Sequence, residues 1–190
     1  MKNLLAVIFA SLVFAVCGAR ALAQSNFKVD PVHSFILFKV NHLGVSNAWG
    51  RFNDPQGTVV WDESDPSKGR VEVTVQTAKI DTANQKRDQH LKSPDFFNAA
   101  QFPTLSFKSN SVAKKGDNEF EVSGDLTVHG VTKPITVTVK KVGEADTQMG
   151  HRAGWETTFT VKRSDFGMNF MPGGIGDDVE IHVGIEAVKG

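Results

Sequence analysis

Residues 118–139 read NEFEVSGDLTVHGVTKPITVTV, and the spacing of their apolar side chains decides the fold. Phe120, Val122, Leu126 and Val128 fall on alternate positions, with Gly124 at the centre of the series. Ile135, Val137 and Val139 resume the pattern after turn residues at 130–134. Between them lie Glu121, Ser123, Asp125, Thr136 and Thr138. Successive side chains of a strand point to opposite faces, so this alternation describes two strands with one dry face and one wet face. Their short connection makes them antiparallel neighbours.

The same period runs outward in both directions. Ser34, Ile36, Phe38 and Val40 share one side, as do Val71, Val73 and Val75. Trp155, Thr157, Phe159 and Val161 form another series, and Val179, Ile181, Val183 and Ile185 the last. Two weaker candidates complete the set, one of them interrupted by Pro55. The predicted strands are 27–42, 49–62, 70–80, 103–112, 118–129, 133–143, 150–164 and 177–189. Residues 82–98 lack the period of two and predict one or two short helices between strands three and four. Thr82 and Gln85 have capping-box spacing, and Ser93 before Pro94 resembles a second helix start. A strand of about twelve residues, tilted in a closed barrel, spans a height on the order of 30 Å. Closure removes exposed edges, and eight strands suffice to hold one small ligand. From the pattern alone, a filled core or a two-sheet sandwich remains the rival architecture.

The chain has 190 residues and no net formal charge. Lys2, an apolar run over 4–16 broken by Ser11, and Ala21-Leu22-Ala23 form the pattern of a cleavable secretory signal over 1–23. Residues 24–190 then form a single domain, and the run is too short to serve as a stable membrane span of about 20 residues. Cleavage also removes Cys17, the only cysteine, so neither a disulfide nor a thiol nucleophile is expected. Lys2 and Arg20 leave with it; 19 basic residues then face 21 acidic ones, without the basic excess a nucleic-acid binder normally shows.

Chemistry-bearing residues do not converge in the sequence. His33 and Ser34 are neighbours on a strand and face opposite ways, so a base–nucleophile pair is not expected. No Gly-x-Ser-x-Gly elbow is present. His33, His42, His90, His129, His151 and His182 show no paired metal-ligand spacing, and neither a metal nor another cofactor is expected. His42 shares parity with Phe38 and Val40 near a strand end, where it can meet a polar head group or serve as an ordinary turn histidine. The stretch MPGGIGDD at 171–178 precedes a strand and carries two carboxylates, so it reads as a loop rather than a phosphate cradle. With Met168 and Phe170 it forms an apolar lip or an ordinary barrel cap. Twelve phenylalanines lie beyond the leader, with no tyrosine, which suits apolar contact without hydroxyls to satisfy.

Several motifs resemble one family taken in order. They are DPVHSFILFKVNHLGVS at 30–46, GRF at 50–52, HLKSPDFFNAAQFPTLSFKS at 90–109, GDLTVHGVTKPI at 124–135, KRSDFGMNF at 162–170 and DDVEIHVGIEA at 177–187. Together they look like the YceI-like proteins over nearly the whole chain beyond the leader. That resemblance implies an all-β, eight-stranded antiparallel lipocalin-like barrel in the bacterial periplasm, binding rather than catalysing. Its expected partner is a long-chain isoprenoid, such as an isoprenoid quinone or its precursor, or another amphiphilic lipid; a homodimer is left open. The residues expected to line the bore and its mouth are Ile36, Phe38, Val40, His42, Val73, Val75, Phe107, Phe120, Val122, Leu126, Val137, Phe159, Met168, Phe170 and Ile181. The rival functions are an enzyme acting on a lipid head group and a structural module with a filled barrel.

Overall fold

The computed structural model describes residues 24–190; the expected leader, 1–23, lies outside them. Eleven strands among the described residues form one antiparallel sheet. They are β1 (Ser25–Val29), β2 (Phe35–His42), β3 (Ser46–Phe52), β4 (Gln56–Trp61), β5 (Arg70–Gln76), β6 (Ile80–Asp81), β7 (Thr104–Gly116), β8 (Glu119–Val128), β9 (Val131–Thr147), β10 (Gly150–Lys162) and β11 (Ile175–Lys189). The single α-helix among these residues is α1 (Gln85–Leu91). The order β1-β4-β5-β7-β8-β9-β10-β11 returns to β1 and closes an eight-stranded barrel. β2, β3 and β6 extend the wall from the remaining edge of β11.

Three of the predicted strands are each two strands. Residues 27–42 divide into β1 and β2, 49–62 into β3 and β4, and 70–80 into β5 and β6. Each break comes with a switch of parity. Phe27 and Val29 face inward before the first break, Ile36 and Phe38 after it. Phe52 precedes the second and Val59 follows it; Val75 precedes the third and Ile80 follows it. A side-chain period of two cannot change phase without an irregular backbone between. At the first break, side chains replace the lost ladder. The Ser34 hydroxyl donates to Glu186 O at 3.1 Å and accepts from Glu186 N at 3.0 Å. Asp30 N donates to the same carbonyl at 2.9 Å.

The segment after β6 also departs from expectation. Asn84 caps α1, its side-chain oxygen accepting from Arg87 N at 3.0 Å. Thr82, the cap expected from spacing, instead donates to the Asp88 carboxylate at 2.5 Å. At Ser93 no second α-helix forms; Phe96 N and Asn98 N both close onto Ser93 O as turns, and Asn98 adopts φ 45°.

The closed end is a plug of rings. Trp61 meets Phe120 edge-on with centroids 4.5 Å apart, and Trp155 lies 5.6 Å from both Trp61 and Phe27. Gly124 explains the gap in the β8 series. A methyl there would stand 2.6 Å from Phe107 Cζ and 2.4 Å from the Lys108 carbonyl, so its absence lets the Phe107 ring lie against the sheet.

Toward the other end β9 and β10 diverge. Their pairing runs from Gly150↔Thr147 to Glu156↔Lys140 and stops there. Beyond it, β9 pairs with β8 alone and β10 with β11 alone. The last link is the Thr157 hydroxyl donating to Thr138 O at 2.8 Å. A 3-10 turn, Arg163–Phe166, bridges the far side of the gap, where His129 Nδ1 donates to Phe166 O at 3.0 Å. The barrel is thus tight at the ring plug and wide at the opposite end.

Candidate ligand-binding cavity

The divergence leaves a cavity of about 430 Å³ inside the barrel. Its floor is the inner face of the ring plug, with Val59, Trp61, Trp155 and Ile185. Its mouth lies between α1, the β2–β3 hairpin and the loop that follows the 3-10 turn.

All but one of the residues expected at the site border the cavity, and they fall in four groups. Ile36, Phe38 and Val40 of β2 and Ile181 of β11 share one wall, with Ile181 paired to Phe38. Val73 and Val75 of β5, Phe107 of β7, and Val122 and Leu126 of β8 build the wall opposite the break, with Val73 paired to Phe107. Val137 and Phe159 stand on either side of the gap between β9 and β10. Met168, Phe170 and His42 lie at the mouth. Phe120 does not border the cavity; it is 2% exposed and fills the closed end against Trp61. Its inward phase is right, but phase carries no information about height along the barrel axis.

Sequence reasoning missed two arginines. Arg163 is 7% exposed and borders the cavity. Its Nε donates to Gly176 O at 3.0 Å, one terminal nitrogen to Met168 O at 2.8 Å and the other to Ile175 O at 3.2 Å. A planar fork of donors suits three backbone carbonyls arrayed this way. The loop is therefore pinned to the barrel by a buried cation. The signal was available: Arg163 continues the inward series of Phe159 and Val161. Arg87 of α1 borders the mouth, its Nε donating to Thr82 Oγ1 and one terminal nitrogen to Thr82 O, each at 2.8 Å. His90 completes this side, its Nε2 donating to Asp95 at 2.8 Å while its ring meets Phe96 and Phe170 edge-on.

The candidate catalytic and metal groups lie elsewhere. His33 Nδ1 does donate to Asp30 at 2.8 Å, and these two converge with Glu186. The Arg152 guanidinium binds both carboxylates, at 2.8 Å to Asp30, and takes the place a cation would fill. The His33 bond, then the Arg152 bond, hold the Asp30 carboxyl well below the usual carboxylate range. Ser34 faces away from His33, spent on the Glu186 backbone. This cluster locks the β1–β2 break to β10 and β11 and lies outside the cavity lining.

Comparison with known proteins places these features in a family. Residues 27–187 match the model of the YceI-like domain. "Protein YceI" of Salmonella agona is 40% identical over 189 residues, 99% of this chain and 98% of the relative. Among solved structures, Burkholderia cenocepacia BcnA superposes with a TM-score of 0.78 at 22% identity, covering 84% of this chain and 99% of that one. A polyisoprenoid binding domain from Saccharophagus degradans, implicated in plant cell wall breakdown, does so with a TM-score of 0.67 at 15% identity, covering 88% of this chain and 100% of that one. At those identities the likeness is one of fold.

Proposed function

Since the chain belongs to the YceI-like family, we propose that it binds a long-chain polyisoprenoid, or an amphiphilic lipid of similar shape, non-covalently in its barrel. The observation that carries this is a bore walled almost wholly by aliphatic and aromatic side chains, sealed at one end and open at the other. Its volume of about 430 Å³ lies within the range of small-molecule sites, roughly 300–1,000 Å³. Sealing the floor dictates orientation: the tail enters first, and the head stays at the mouth beside His42 and Arg87. The walls described above are then the tail site, and Phe120 supports the floor from behind. Burying about 500 Å² of apolar ligand surface is worth roughly 12 kcal/mol, against association costs of roughly 4–15 kcal/mol. Micromolar binding therefore needs good fit along the bore rather than any ion pair.

A binding protein is favoured over an enzyme because Arg87, His90 and Arg163 at the mouth are engaged in holding the mouth together. With a leader over 1–23, such a protein would work in the periplasm, carrying or storing a lipid that water excludes. The test is organic extraction of purified residues 24–190 followed by mass spectrometry, with titration of an added prenyl alcohol read by fluorescence of Trp49, Trp61 and Trp155, all of which border the cavity. A recovered lipid, or saturable quenching lost in Val73→Asp, is the expected result. Repeated recovery of none, with no response to the alcohol, would overturn the proposal.

A further inference from the structure

We propose that the open end of the barrel docks on the surface of an anionic lipid bilayer; this rests on the reading of the bore as a lipid site and names where that lipid is exchanged. Two of the three segments around the mouth, 41–47 and 167–176, contain no Asp, Glu, Lys or Arg, in a chain that is 22% charged. They nevertheless present apolar side chains to solvent. Val45 is 81% exposed, Leu43 53%, Met171 42% and Phe170 38%. The segments are joined: Leu43 N donates to Gly174 O at 2.8 Å, and His42 pairs with Ile175. They therefore form one apolar rim, and it is continuous with the bore because Phe170, Met171 and His42 border both.

The third segment supplies the charge. On α1 and its end, Lys86 and Arg87 are exposed, Arg87 bordering the mouth, and Lys92 is half-buried. Against them stand two acids, Asp88 bonded by Thr82 and Asp95 by His90, so the segment keeps an excess of one positive charge. Lys86 and Lys92 have no ion-pair partner among the described residues. Apolar tips flanked by unpaired basic side chains are the chemistry of attachment to a bilayer interface rich in anionic headgroups. The closed end offers the contrast. Val142 and Met149 are just as exposed, at 58% and 62%, but they stand among Lys140, Lys141, Glu144 and Asp146. Exposure alone does not single out the rim; the absence of charge within its two segments does, the flanking Asp177 and Asp178 being paired with Lys162. A rim pressed into the headgroup layer would let a hydrocarbon tail pass between bilayer and bore without crossing water.

The experiment is flotation of residues 24–190 with vesicles of phosphatidylcholine containing phosphatidylglycerol, beside vesicles of phosphatidylcholine alone. The protein is expected to float with the anionic vesicles. The double variant Leu43→Ser, Val45→Ser should bind about tenfold more weakly, and Lys86→Gln with Lys92→Gln should remove the preference for phosphatidylglycerol. Val142→Ser with Met149→Ser should change nothing. Wild type remaining in the buffer fraction, or equal losses in the two apolar double variants, would overturn the proposal. So would a dimer in sizing experiments that the rim variant dissolves while wild type ignores vesicles, since the rim would then fit a second copy of the chain. The prenyl-alcohol titration separates this from the bore: a rim variant that still quenches normally has lost docking alone, whereas vesicle binding without any quenching would sink the bore reading and leave the rim.

Discussion

Replacing Arg163 with Met tests whether a buried cation holds the mouth loop. The substitution keeps an unbranched stem of similar length and removes all donors to three carbonyls. The bond to Met168 O is fully buried, and those to Gly176 O and Ile175 O are partly so. Stranding a buried carbonyl costs about 1–3 kcal/mol, and water can satisfy the partly exposed pair at a cost of a few tenths each. The guanidinium has no carboxylate within ion-pair distance among the described residues, so relief of its own desolvation offsets part of the loss. The net expectation is a destabilisation of roughly 1–3 kcal/mol. With a urea m-value of about 2 kcal/mol/M, mid-range for a small domain, the midpoint should fall by roughly 0.5–1.5 M. Arg163→Lys should recover a third or less of the loss, because an ammonium on a flexible stem cannot serve three carbonyls set out as a fork. The second readout is amide exchange, which should rise across 168–176 and stay unchanged in β8. A midpoint shift below about 0.3 M, or a Lys variant equal to wild type, would refute the reasoning.

Three further outcomes follow from the geometry. His151 donates to Glu144 and Asp146, which raise its pKa above the ordinary 6.5; its contribution is complete below that value and is lost as pH rises through the folded pKa, so wild type and His151→Gln should differ in urea stability at about pH 5.5 and converge on the alkaline side. Gly124→Ala forces a methyl against the Lys108 carbonyl and should cost about 1–3 kcal/mol, whereas Gly184→Ala, where a methyl meets nothing within 4 Å, should be neutral or stabilising by about 0.4–1 kcal/mol. The gap between β9 and β10 should appear in hydrogen exchange: alternate amides over 131–139 exchange quickly while those of 120–128, paired on both sides, stay protected; uniform protection across β9 would show that the wall is closed.

Much of the architecture was legible because the period of two is a local property. Phe120, Val122, Leu126 and Val128 declare a half-buried strand whatever surrounds it, and the same holds for Val179 to Ile185 in β11. The breaks at 30–34 and 53–55 were also written in the residues, as a change of inward phase from Phe27 and Val29 to Ile36 and Phe38. Reading 27–42 as one strand overlooked that change. Arg163 likewise occupied an inward position in plain view, a charge on the dry face that called for partners. What no spacing could supply was the identity of those partners, three carbonyls five, twelve and thirteen residues further along the chain.

Residue order alone therefore settled which side chains face inward, and with it the barrel, since each choice depends only on neighbours one or two positions away. Height along the bore, the seal at its floor, the parting of β9 from β10 and the gathering of three uncharged or basic segments around one mouth were decided by tertiary structure. Phe120 and Phe107 have the same local signature, yet one lies in the plug and the other on the cavity wall. The difference arises from the register between strands distant in sequence, and register is fixed only when the whole circuit closes.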